Sequence, residues 1–153
     1  VKRAVRVPVF AKLTPNVTDI VEIAHAAERG GANGITAINT LKAMAVDIET
    51  CRPVLANVSG GLSGPAIKPV AMRCVWEIAE NVKIPIIGCG GVSDWRDAVE
   101  FLLCGASAVQ VGTAIMHHGV EVFSSIAEGI EAYLRRKNFR SVEEIVGRAH
   151  RTP

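Results

Sequence analysis

Four short apolar runs, each followed by a stretch with another period, limit what this chain can fold into. The runs are "VPVFAKL" (7–13), "GITAINT" (34–40), "IPIIGCGG" (84–91) and "SAVQVGTAI" (107–115). They are continuous rather than alternating, which is the pattern of parallel strands covered by helices. The segments between them read as those helices. "NVTDIVEIAHAAERGGA" repeats apolar residues through Ile20, Ile23, Ala24 and Ala27, with Thr18 as the expected N-cap and Gly30-Gly31 as the stop. "AIKPVAMRCVWEIAEN" (66–81) accepts Pro69 only in its first turn. "DWRDAVEFLLCGA" (94–106) is a third helix and "VEVFSSIAEGIEAYLRRKN" (120–138) a closing one, followed by "SVEEIVGRAH" (141–150), expected as a short last helix with a Ser141–Glu144 capping box. Residues 41–65 are too long for an ordinary connection and lack a helical period. Within them "AVDIETCRPVLAN" alternates like a small hairpin, and "VSGGLSGP" reads as a glycine-rich loop.

A βα alternation of this kind is either an open doubly wound sheet or part of a (β/α)₈ barrel. The glycines favour the barrel. A dinucleotide-binding sheet carries GxGxxG after its first strand, and nothing like it follows "VFAKL". Here the bare backbone comes at the tips of the last two strands, as Gly90-Gly91 and Gly112-Thr113. Barrels bind phosphate on the loops after their last two strands. A full barrel takes about 250 residues, whereas this chain of 153 supplies four βα units. The expectation is therefore one domain, residues 1–153, forming the C-terminal half of an α/β TIM (β/α)₈ barrel with an extra C-terminal helix. The N-terminal half is expected to be absent, with "VKRAVR" reading as the end of a preceding helix. Strands near 7–12, 34–39, 84–88 and 107–112 should share one face at their C-terminal ends. A lone half leaves two open sheet edges, so association with a second copy or with a closing partner is expected.

Composition removes several functions. A formal net charge of +2 leaves no basic stripe for nucleic acid. No run is long enough for a membrane span and no signal peptide precedes the first strand, which gives a cytoplasmic expectation. Cys51, Cys74, Cys89 and Cys104 lack CxxC spacing or a nearby histidine at ligand spacing, so they read as reduced buried thiols with no metal site. His25, His117 and His118 read as structural or surface residues.

The remaining candidates lie at the strand tips. Gly90-Gly91 and Gly112 let a phosphate approach backbone N–H groups, with Thr113 adding a hydroxyl; the simpler alternative is that they only permit tight turns. Lys12 ends the first strand, where barrels carry their sites. It serves as a cation facing negative charge on a cofactor, as a Schiff-base nucleophile, or as a solvated lysine. Asn39-Thr40 end the second strand; the Asn amide suits the edge of a heterocycle, or else caps its own turn. Ser63-Gly64 lie in the long loop that should fold over the mouth.

Several of these segments together carry a resemblance: "AKLTPNVTDIVEIA", "AINTL", "RPVLANVSGGLSGPAIKPVA", "IPIIGCGGV" and "ASAVQVGTA". They resemble the C-terminal half of a dihydroorotate dehydrogenase, nearest the class 1B, NAD-linked type, over essentially the whole chain. The flavin module of dihydropyrimidine dehydrogenase is the next relative, although "ETCRPVLANVSGGLSG" is more similar to the dihydroorotate enzyme. The resemblance implies FMN as cofactor and oxidation of dihydroorotate to orotate in de novo pyrimidine biosynthesis. By position it implies that Lys12 lies beside the flavin ring, that Ile38 and Gly64 make backbone contacts to FMN, and that Gly90, Gly91, Gly112 and Thr113 form the phosphate site. Asn39 and Thr40 fall where the family grips the pyrimidine. It further implies a homo-oligomer and, for class 1B, an iron–sulphur FAD electron-transfer subunit. The family's cysteine base sits on a loop of the N-terminal half, which would lie upstream of Val1. None of the four cysteines here matches it, so no catalytic residue is assigned within the chain and an isolated fragment is expected to be inactive. A Schiff-base, phosphate-gripping barrel lyase built on Lys12, and a half-barrel serving only as a binding or assembly module, are the other readings.

Overall fold

The computed structural model describes residues 1–151. Its elements, in chain order, are β1 (Phe10–Leu13), α1 (Ile20–Arg29), β2 (Gly34–Ala37), β3 (Leu41–Ala43), β4 (Val46–Asp47), β5 (Arg52–Pro53), β6 (Gly60–Leu62), α2 (Lys68–Asn81), β7 (Ile86–Cys89), α3 (Trp95–Leu103), β8 (Ala108–Gln110), α4 (Ile115–His118) and α5 (Val122–Arg136). Single 3₁₀ turns lie at Lys2–Ala4, Pro65–Ile67, Val142–Glu144 and Arg148–His150. β1, β2, β7 and β8 form one parallel sheet in that spatial order. The order simply follows the chain, as in a barrel wall; a doubly wound sheet reverses direction at a switch point.

Side-chain alternation gives the sheet two unlike faces. Ile35, Ala37 and Ile86 point to the helices and are buried with Ala24, Ala71, Val75, Ile78, Ala98 and Phe101. On the other face Phe10 is 45% exposed, and Lys12, Ala108 and Gln110 are exposed as well. Gly88 belongs to the helix side, where a Cβ would come within 2.7 Å of the Phe101 ring. That glycine is what lets α3 lay a phenylalanine flat against the sheet.

Several boundaries differ from the sequence expectation for identifiable reasons. "VKRAVR" forms one 3₁₀ turn with Val1 as its N-cap, rather than an α-helical end, and leaves it in extended backbone at Val5. β1 starts at Phe10 rather than Val7, because Val9 is satisfied by the Asn33 side chain (Oδ1, 2.9 Å) and Pro8 has no N–H to donate. Asp19, not Thr18, caps α1 by accepting from the Val21 N–H at 2.8 Å. The glycine-rich stretch 58–65 is partly a strand: β6 pairs antiparallel with β3. The expected hairpin forms as β4 and β5. β8 stops at Gln110, and Ile115, expected to end it, instead opens the short helix α4. The last helix is replaced by two 3₁₀ turns, because Gly147 adopts φ +65° between them, and Ser141 makes no side-chain cap. The capping box is instead at Asp94, whose carboxylate accepts from the Arg96 and Asp97 N–H groups. Pro69 does sit in the first turn of α2. Of the cysteines, only Cys74 and Cys104 are buried, and burial pushes both thiols up; Cys51 is exposed and Cys89 half-buried at the tip of β7. Among the described residues, no helix is long and apolar enough to cross a membrane.

Candidate functional site

The C-terminal ends of β1, β2, β7 and β8 open into one cleft of about 170 Å³. All nine residues to which the resemblance gives a role line it: Lys12, Ile38, Asn39, Thr40, Gly64, Gly90, Gly91, Gly112 and Thr113. This volume is below the roughly 300–1,000 Å³ of pockets that enclose a drug-sized ligand. By itself the cleft is too small to enclose a ligand of that size. A larger cleft of about 540 Å³ lies at the other end of the sheet, beside Ile84–Ile86, Gly105 and Ser107. Barrel chemistry belongs to the C-terminal ends, so volume does not choose between the two.

The two glycine tips are not equivalent. Gly90 and Gly91 have φ +134° and +78°, a region that favours glycine whatever lies beside it. A Cβ on Gly91 would also meet Lys68 Cβ at 2.8 Å and the Gly64 carbonyl oxygen at 2.9 Å. Gly112 has no such reason: its φ is ordinary, and a Cβ there would meet nothing within 4 Å. Beside it the backbone N–H groups of Gly112, Thr113 and Ala114, and across the cleft those of Gly91 and Val92, find no acceptor among the described residues. Val92 and Ala114 are nevertheless buried. Buried N–H groups without partners are rare in folded proteins, and these five belong to residues that line one cleft, an arrangement of the kind that can receive an anion.

The cation and the amide sit on the neighbouring strands. Lys12 Nζ reaches Cys89 Sγ at 3.3 Å, across the inner face. The Ile38 N–H is taken by the Cys89 carbonyl at 2.7 Å, so Ile38 can offer a ligand only its own carbonyl. The Asn39 Oδ1 accepts from the Thr40 N–H at 2.8 Å. The local turn and the expected binding role are therefore compatible, because pinning the oxygen leaves the Nδ2 donors free to face an acceptor. The Thr113 hydroxyl donates to Ser63 Oγ at 2.9 Å, tying the long loop to the tip of β8. Val1, upstream of which the family's base is expected, is exposed and does not line the cleft. Among the described residues the cleft's lining contains one thiol, Cys89, and no histidine or carboxylate.

Three supporting residues are not evident from the sequence. Asn16 donates to the Thr40 carbonyl at 3.0 Å and accepts from the Lys42 N–H at 2.8 Å, which fixes the start of the β3–β6 ribbon. Lys68 and Asp97 form a 2.6 Å ion pair behind Gly91. Burial pushes the Asp97 carboxyl up, but hydrogen bonds from Lys68 and from the Ser93 and Asp94 N–H groups outweigh it and hold the group below its ordinary value. Hydrogen bonds to Asp97 and Glu100 raise Lys68. The Asp94-x-x-Asp97 spacing is a visible trace of this cluster, since it matches a helix start; Asn16 leaves no signal beyond a Pro-Asn turn.

Known proteins point the same way. The dihydroorotate dehydrogenase family model matches residues 1–134. The chain belongs to the dihydroorotate dehydrogenase family. It is 60% identical over 151 residues to the dihydroorotate dehydrogenase B (NAD(+)) catalytic subunit of Methanothermobacter thermautotrophicus, covering 98% of this chain and 50% of that relative. It is 57% identical over 149 residues to the subunit of the same name from Thermococcus kodakarensis, covering 97% and 49%. The chain spans about half the length of the curated relatives it matches. The parallel sheet in chain order, with helices on one face, is part of the α/β TIM barrel of this family.

Proposed function

We propose that residues 1–153 form the C-terminal half of an FMN-binding (β/α)₈ barrel, and that the complete protein oxidises dihydroorotate to orotate in de novo pyrimidine biosynthesis. The observation that carries this is Gly112, a glycine required neither by its backbone angle nor by any neighbour, beside three unpaired N–H groups. A phosphate seated there explains both features.

The division of labour follows from the cleft. The N–H groups of Gly91, Val92 and Gly112–Ala114 bind the phosphate, with Gly90 shaping the turn, Gly64 carrying Ser63 to the Thr113 hydroxyl, and the Ile38 carbonyl facing the ring. When bound, FMN supplies the hydride acceptor. Lys12 holds a positive charge at the base of the cleft and favours negative charge that develops during hydride transfer. Asn39 presents its Nδ2 donors, and Thr40 its hydroxyl, to the carbonyl edge of the pyrimidine. The proton-abstracting base comes from the half of the barrel that would precede Val1 in the complete protein. The relatives' description as an NAD-linked catalytic subunit supports a second, electron-transferring subunit, which we infer to be an iron–sulphur flavoprotein. A Schiff-base lysine needs desolvation or a neighbouring cation; Lys12 is exposed, and no other cationic side chain lines the cleft among the described residues.

The test is Gly112→Val, measured by quenching of flavin fluorescence. The side chain enters open space, so folding is preserved, but the phosphate position is filled. FMN affinity should fall by about tenfold or more, the equivalent of one charge-assisted hydrogen bond, while riboflavin affinity is retained. Equal affinity of the unaltered protein for FMN and riboflavin would remove the phosphate from this cleft.

A further inference from the structure

Behind the Gly90–Ser93 loop lies a small charged cluster to which the proposed chemistry assigns no role. The loop rests on the first turn of α2, where Gly91 lies so close to Lys68 that a Cβ would meet both its Cβ and its backbone N. From there Lys68 Nζ crosses to α3 and donates to Asp97 Oδ1 at 2.6 Å and Glu100 Oε2 at 2.7 Å. Asp97 then turns back toward the loop, with Oδ2 accepting from the Ser93 N–H at 2.8 Å and the Asp94 N–H at 3.2 Å. One carboxylate thus consumes the two N–H groups that follow Gly91 and Val92. Of the N–H groups on the loop, those of Gly91 and Val92 have no acceptor among the described residues, and both residues line the cleft.

We infer that Lys68 and Asp97 are a positioning pair for the phosphate pole: Asp97 sets the direction of the Gly91 and Val92 N–H groups, and Lys68 cancels the charge Asp97 would otherwise set against the phosphate. The inference rests on the FMN reading and goes beyond it by assigning a role to residues that touch no ligand. The two tasks need both partners. An acid is the right group to collect consecutive N–H donors at a helix start. The same acid beside an anion site repels that anion unless a cation is held against it. Lys68 is 27% exposed and Asp97 15%, so the pair is only partly screened by water. Glu100 keeps Lys68 stretched toward α3 and away from the cleft, which explains why this lysine is not itself among the residues lining it.

A pair that merely ties α2 to α3 would affect stability without regard to ligand. The discriminating readout is therefore the ratio of FMN to riboflavin affinity, measured on the full-length protein that carries these residues. Lys68→Met should lower FMN affinity by about tenfold and leave riboflavin unchanged, because only the phosphate feels the uncompensated carboxylate. Lys68→Arg, which restores the charge, should recover most of the loss. If Lys68→Met does not yield folded protein, Lys68→Gln keeps a hydrogen bond to Asp97 without the charge and carries the same expectation. Equal losses for FMN and riboflavin, or none for either, would overturn the inference. The parent reading is judged separately by Gly112→Val: if that variant loses FMN preference while Lys68→Met keeps it, the phosphate stands and only the positioning pair falls.

Discussion

At the scale of single residues, the most telling contrast is between two glycines that look alike in the sequence. Gly91 is explained by its own backbone and by Lys68, whereas Gly112 is explained by neither. A bulky substitution at Gly91 would therefore distort the loop whatever binds nearby, and only Gly112 reports on a ligand. Lys12 is the second informative residue. Its nearest partner is the weak acceptor Cys89 Sγ at 3.3 Å, so no carboxylate among the described residues neutralises its charge. If it acts on charge that develops during hydride transfer, Lys12→Met in the complete protein should slow flavin reduction by about 10²-fold or more, with dihydroorotate affinity little changed. Stopped-flow reduction against substrate concentration separates the two quantities. A change confined to the concentration dependence would assign Lys12 to ground-state binding.

At the scale of elements, the strongly periodic pieces are legible in the sequence and the short irregular ones are not. α1, α2, α3 and α5 and the four parallel strands lie where apolar periodicity puts them, because their faces are set by burial against one core. The β3–β6 ribbon is hidden, since Gly60 and Gly61 carry no β-propensity and the pairing depends on Thr40 packing onto Gly61. The terminal 3₁₀ turns read as a helix because a Ser-x-x-Glu spacing is present, while Gly147 breaks the continuation. The candidate residues on strand tips are readable as types, and the structure gathers them along one cleft. Their supports, Asn16, Lys68 and Asp97, come together only through long-range packing. In α3 the largest buried side chain is Phe101, which is fully buried against Gly88. Phe101→Ala should cost about 3–5 kcal/mol, since it removes a buried ring and leaves a cavity the strand cannot close. Urea unfolding of the complete protein measures it, and a loss below about 1 kcal/mol, the scale of a surface change, would mean that α3 is held from elsewhere.

At the scale of the whole molecule, the sheet is unfinished in a specific way. Among the described residues β1 pairs only with β2 and β8 only with β7, so both outer strands present unpaired backbone in the same parallel direction. The inner face between them carries Phe10 at 45% exposure beside Lys12, Ala108 and Gln110, and the binding cleft is open along that side. An open parallel sheet with one bare face recruits whatever completes it. On the proposed half-barrel reading, a complementary four-stranded half would close both edges at once, cover Phe10, and add a further wall to the cleft together with the proposed base. The 153-residue chain by itself should accordingly associate and should not turn over dihydroorotate even with FMN added, because a positioned base contributes about 10²–10⁴-fold. Co-expression with a polypeptide corresponding to the other half of its relatives should yield a discrete complex with dihydroorotate-dependent dye reduction. Sedimentation and the dye assay give the two answers independently. A monomeric chain that oxidises dihydroorotate without a partner would place the base among these residues rather than upstream of Val1, with Cys89, half-buried beside Lys12, as the thiol to test first.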